Sequence, residues 1–117
     1  DPPDGPQRSI GTLRPVRSTR VLVGCMTVGD DEIAPAEIAY ADVFVVVREG
    51  ESGPGPNDWE VTLQTSDDHR LRPGEHDLRL EALDGSTLTG RALLRFSDGT
   101  RHLFRGDGAL TGLVDLP

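Results

Sequence analysis

The chain has 117 residues, of which 35% are hydrophobic and 4% aromatic, and it carries a net charge of −8. That length fits one domain with a buried core, and no apolar run approaches the roughly 18 residues of a membrane-spanning helix. An acidic balance of this size repels a phosphate backbone, which argues against general nucleic-acid binding.

The charge is unevenly spread. Residues 1–29 carry four arginines and two aspartates, residues 30–68 eleven acids and one arginine, and residues 69–117 seven of each sign. All twelve basic residues are arginine, a usage that points to a GC-rich bacterial genome. No signal segment is visible. A cytoplasmic location is therefore favoured, with export left open because the chain starts at Asp1 rather than Met.

Asp1 to Gln7 (DPPDGPQ) contains three prolines and no apolar residue. Residues 1–9 read as a flexible Pro-rich tail ahead of a single all-β domain over 10–117. Arg20 to Val28 (RVLVGCMTV) is the first strand. It contains Cys25, the only cysteine, which excludes an internal disulfide. With no His or Arg beside it to stabilise a thiolate, Cys25 is expected to pack as a small hydrophobe. Gly29-Asp30-Asp31-Glu32 interrupts the strand, and Ile33 to Ala41 reads as a loop or a short helical turn opened by Pro35.

Asp42 to Arg48 (DVFVVVR) is rich in β-branched residues, and its continuous apolar run suggests burial on both faces. Glu49 to Asp58 is a loop of Gly and Pro. Trp59, Val61, Leu63 and Thr65 then alternate with polar residues, the mark of a half-buried strand. Arg72-Pro73-Gly74-Glu75 reads as a turn.

Three further strands follow over Asp77–Leu83, Ser86–Phe96 and Thr100–Arg105, and a last one is expected over Ala109–Val114. Leu83-Asp84-Gly85 and Ser97-Asp98-Gly99 join the middle three. Three-residue loops with Gly in the left-handed position segregate the apolar side chains best. That register pairs Leu80 with Leu88, Leu78 with Gly90, Leu94 with His102, and Ala92 with Phe104, with Phe96 on the inner face. The sum is an all-β domain: a small antiparallel barrel or sandwich of about seven strands ending in a β-meander.

The same register points Arg91, Arg95, Arg101 and Arg105 outward, with Leu93 and Leu103 between them. Arg95 then faces Arg101 and Arg91 faces Arg105, at a cost of up to about 1 kcal/mol per like-charged pair. Such a wall needs counter-charge. Asp77 and Glu81 can supply part, and the acidic middle of the chain or a second copy the rest. Two readings stand: a solvated face braced by ion pairs, or a binding surface for an acidic partner, since Arg with exposed Leu resembles interface composition.

Other constellations are weaker. Asp67, Asp68, His69, Glu75, His76 and Asp77 match no metal template, and Asp30-Asp31-Glu32 lacks an EF-hand spacing, so no metal is expected. Neither a Gly-rich phosphate loop, a G-x-S-x-G elbow nor H-E-x-x-H is present, and no cofactor is expected. Arg105-Gly106-Asp107 spells an integrin-binding word, but composition alone produces it about 0.16 times in such a chain.

His102 falls on the inner face. It is either a core histidine or, in a hollow barrel, the centre of a ligand cavity. With Tyr40 or Asp42 it could then serve as acid and base, as in small barrel isomerases and cyclases. The stretches LRPGEHDLRL, GRALL and HLFRGDGAL resemble small bacterial β-domains of unassigned activity, and no functional residue follows from that. The favoured expectation is a non-enzymatic bacterial module whose outward Arg face binds a protein partner, or a second copy of itself, with an acidic surface, and no nucleic acid or membrane is involved. The alternative is a small-ligand-binding barrel, an isomerase or cyclase with His102 in its interior.

Overall fold

The computed structural model describes residues 16–48 and 56–113. Seven strands account for most of them: β1 (Val16–Val28), β2 (Asp31–Ile33), β3 (Ile38–Arg48), β4 (Asp58–Thr65), β5 (Gly74–Ala82), β6 (Thr87–Ser97) and β7 (Arg101–Gly106). All pairings are antiparallel, in the order β2-β1-β3-β4-β7-β6-β5, and β5 returns to pair with β1. Six strands therefore close into a barrel, and β2 is an extra strand on the edge of β1. Closure removes the long edges that an open sheet would expose.

β1 closes the barrel by changing partners. Val16–Leu22 pair with β3 and Val23–Val28 with β5, and the register slips between Val23 and Cys25. Gly24 sits at that slip, where a Cβ would come within 2.8 Å of Leu83 Cδ2. A bulge with a residue lacking a side chain lets the strand bend from one neighbour to the other.

Alternation fills the interior. Val43 and Val45 of β3, Trp59, Val61 and Leu63 of β4, Leu78 and Leu80 of β5, Leu88 and Ala92 of β6, and Phe104 of β7 are all buried. Each aliphatic side chain so placed contributes about 1.5–3 kcal/mol. Trp59 plugs one end. Its Nε1–H donates to the Gly108 carbonyl at 2.8 Å, and its ring lies over Gly90 and Gly106, where a Cβ at either position would run into the indole.

The sequence reading needs correction in four places. β1 begins at Val16 and β3 at Ile38, both earlier than expected, so the segment read as loop or helix is β2, a short 3-10 turn over Pro35–Glu37, and the start of β3. β3 is not buried on both faces: Val43 and Val45 face the core, while Phe44 and Val46 are half-buried outside. The described part of the expected last strand, Ala109–Leu113, is no strand and makes one bridge, Thr111 to Thr89. Val114, the tail over residues 1–9 and most of the Glu49–Asp58 loop lie outside the described residues.

The fourth correction concerns the β6–β7 hairpin. Leu80–Leu88 and Leu78–Gly90 pair as expected, and the three-residue loop Leu83-Asp84-Gly85 is closed by Ala82 N–H to Ser86 O at 2.9 Å, with Gly85 at φ 95°. In the second hairpin, however, Ser97 pairs with His102, Phe96 with Leu103, Leu94 with Phe104 and Ala92 with Gly106, and the ladder slips between Leu94 and Phe96. The cause is the turn. The Asp98 carboxylate accepts the backbone N–H groups of Thr100 (3.2 Å) and Arg101 (2.8 Å), and Asp98 N–H donates to Arg101 O at 3.1 Å, so a two-residue turn at Gly99-Thr100 replaces the expected three-residue Ser97-Asp98-Gly99 loop.

Candidate functional site

The slip in β6 sorts the outward arginines into two kinds. Arg91 lies beside Asp77 of β5, its register partner, at 3.3 Å, and Glu75 at 3.8 Å. Arg105 lies opposite Glu60 of β4, at 3.1 Å, with Asp58 at 3.6 Å. These two are braced within the chain by β5 and by the acidic middle. Glu81, the other acid proposed for the wall, sits near Arg79 at 4.0 Å instead.

Arg95 and Arg101 have no carboxylate oxygen within 4.0 Å among the described residues. Register explains both. Arg101 faces Gln64, which is neutral, and Arg95 occupies the bulge, where no residue lies directly opposite. The expected facing pairs Arg95–Arg101 and Arg91–Arg105 do not form: Arg105 is opposite Leu93, and Phe96 is opposite Leu103.

Beyond the bulge Phe96 turns outward and is 46% exposed, where the sequence reading had put it in the core. Phe96 and Leu103 form a cross-strand apolar pair on the outer wall with Arg95 and Arg101 beside it, and Leu93, 37% exposed, extends the wall toward Arg105. Two depressions meet at Arg95. One, of about 560 Å³, runs between Leu94–Gly99 and the β4–β5 connection at Asp68, Arg70, Leu71 and Pro73. The other, of about 260 Å³, lies over Thr62, Leu103 and Arg105. Arg70 and Arg72, at the same end of the barrel, also lack an ion pair among the described residues. Sequence reasoning missed Phe96, Arg70 and Arg72. The signal that could have found Phe96 was the Leu-Leu-Arg-Phe run, which strict alternation cannot sort.

His102 is fully buried on the inner face. Its Nδ1 hydrogen-bonds Ser97 Oγ at 2.7 Å, and its Nε2 has no hydrogen-bond partner among the described residues. Burial is the main cause that pushes its pKa down, aided by the charge of His69 and opposed by Asp98, the Gly99 carbonyl and Asp68. The ring is held neutral. None of the five depressions described for the molecule is lined by His102.

Tyr40 and Asp42 do not join it. They belong to the outer face of β3, where Tyr40 donates its hydroxyl to Asp42 at 2.5 Å and Arg20 holds the same carboxylate oxygen at 3.0 Å. The Arg20 guanidinium also lies 5.3 Å above the Phe44 ring. The Asp42 side chain, 5% exposed, thus meets two donors in place of water. The hydrogen bond to Asp42, with burial, pushes the Tyr40 pKa up, so the hydroxyl stays a donor.

Cys25 is half-buried, and its thiol points at the Ile33 carbonyl at 3.6 Å. Burial and the charges of Glu81 and Glu32 raise its pKa, which keeps it a thiol. No group of three or more His, Cys, Asp or Glu side chains among the described residues is placed to hold a metal. His76 Nε2 instead lies 2.6 Å from the Arg72 carbonyl. Asp107 of the Arg-Gly-Asp triplet is engaged locally: its N–H donates to the Arg91 carbonyl at 2.8 Å, and its carboxylate neighbours Glu75, whose pKa it raises. Comparison with protein-family models, with curated proteins and with solved structures returned no match.

Proposed function

We propose that this barrel is a non-enzymatic protein-interaction module that docks an acidic partner on the wall around the β6 bulge. The observation that carries this reading is the contrast among the arginines. Arg91 and Arg105 are each paired within a chain that has acid to spare, while Arg95 and Arg101, beside the exposed Phe96–Leu103 pair, make no ion pair within 4.0 Å among the described residues, Arg101 feeling only the more distant charge of Asp98. An unpaired guanidinium next to an exposed aromatic ring is the residue type on which interfaces concentrate their binding energy. The packed interior supports the same reading, because a ligand-binding barrel needs a cavity that polar groups reach.

The test places a photo-crosslinking phenylalanine analogue at position 96 and, separately, at Leu83, which is more open still (69% against 46% exposed) but at the other end of the barrel. Cross-linking is carried out in extract of the source cell, with and without Arg95→Glu and Arg101→Glu. The expected result is a discrete adduct from position 96 that the charge reversals abolish, and none from position 83. Equal adducts from both positions, or an adduct indifferent to the reversals, overturns the proposal.

A further inference from the structure

The partner strand of β6 stops short. β5 pairs with β6 from Thr87 up to Leu94, where Gly74 is the last partner, yet β6 continues through Arg95, Phe96 and Ser97. On the other side these last residues are paired with β7, through Phe96–Leu103 and Ser97–His102. Three residues of β6, about 10 Å of strand, therefore overhang with no strand on the β5 side among the described residues. The 560 Å³ groove lies along this overhang. Its far wall, Asp68 to Pro73, is tied to the hairpin by His69 N–H to Gly99 O at 2.7 Å, which closes one end of the slot.

We infer that an extended acidic segment of the partner adds to the β6 overhang as a strand, taking the place in the sheet that β5 vacates. The inference rests on the interaction reading above and specifies its occupant. A main chain laid in the slot would satisfy the open edge, which is how strand addition gains affinity. Side chains of such a strand alternate: one set meets Leu94 and Leu71 on the groove floor, the other meets Arg95 and Arg70 at its rim. Carboxylates are the matching chemistry for two guanidiniums that make no ion pair among the described residues. The groove's own acids do not fill that role. Asp98 is turned back on the hairpin backbone, and Asp68 packs against Gly99 at the far end. A second copy of this chain is the less suitable occupant, because a folded body of charge −8 brings its whole charge against this one, whereas a short acidic segment brings only the carboxylates that meet Arg95 and Arg70.

The probe is an acetylated nonapeptide alternating Glu with Val and flanked by Ser, titrated into the nitrogen-15-labelled protein. Three controls accompany it: the same peptide with Gln for Glu, a backbone N-methylated version, and free glutarate. The expected result is amide shift changes at Arg95–Ser97 and slowed amide exchange there. Affinity should fall at least about tenfold for the Gln peptide, for the N-methylated peptide and for the Arg95→Glu protein. Equal binding of the N-methylated peptide overturns strand addition. Equal binding of the Gln peptide overturns acidic recognition, and glutarate binding as tightly as the peptide identifies a small-anion site instead. If the position-96 adduct forms but the peptide does not bind, the partner docks as a folded surface and this inference alone fails. If neither occurs, the interaction reading fails with it.

Discussion

Phe96 pairs with Leu103 on the outside of the barrel, one residue past the slip in β6, while Phe104 beside it is buried in the core. The two phenylalanines therefore carry different loads. Phe104→Ala should cost about 3–5 kcal/mol of unfolding free energy, whereas Phe96→Ser should stay within about 0.5 kcal/mol of wild type, as surface changes do. Urea unfolding of the two variants distinguishes them; a large loss for Phe96→Ser would put its ring back in the core.

Trp59 and Gly106 make a second pair. The indole occupies the space that a side chain at Gly106 would need. Gly106→Ala should destabilise by about 1–3 kcal/mol through overpacking, and Trp59→Phe, by opening space, should make the same alanine cheaper to accommodate. A double-mutant cycle measured by thermal unfolding tests this, since residues in contact are non-additive. Additive losses would show that the ring does not rest on Gly106.

The paired and unpaired arginines should part in stability as they do in geometry. Arg105→Ala removes the contacts with Glu60 and Asp58 and should cost about 0.2–1 kcal/mol, the worth of an exposed pair. Arg95→Ala removes no ion pair and should be neutral within the error of chemical denaturation. Equal losses for both would mean that Arg95 has a partner in solution.

His102 gives the fold a pH dependence with a definite sign. Its folded pKa lies below the ordinary histidine value near 6.5, so the unfolded chain takes up the proton first as pH falls. The stabilisation is fully present above about pH 6.5 and is lost as pH drops through the depressed folded pKa. Unfolding free energy should decline between pH 7.5 and 5.5, and His102→Leu should flatten that decline. Leucine also removes the unpartnered Nε2, so the variant should fold. An unchanged slope in the leucine variant would assign the titration to another group.

Much of this architecture could be read from residue order, and the failures have physical causes. Trp59–Thr65 and Asp77–Ala82 alternate strictly, and one-sided burial fixes their faces. Leu83-Asp84-Gly85 forms the expected loop because Gly85 takes the left-handed backbone. Ser97-Asp98-Gly99 looks alike but behaves differently, because the Asp98 carboxylate caps Thr100 and Arg101 and moves the turn along. The bulge at Arg95 absorbs the difference, so Leu94 and His102 kept their expected faces while Phe96 changed sides. Of the wall proposed from sequence, the outward arginines were legible through period-2 spacing. Which of them lack a counter-ion was not, because that depends on the β4–β7 register, a pairing of residues some forty positions apart. Arg70 and Phe96 reach the same groove only through the fold.

The most direct test of the account is partner capture at position 96 compared between two neutralised pairs, Arg95→Gln with Arg101→Gln and Arg91→Gln with Arg105→Gln. Both remove the same charge from the same wall, but only the first removes guanidiniums that make no ion pair among the described residues. The account predicts that the first pair loses the adduct and the second retains it. Loss from both alike, or from the second alone, would contradict it.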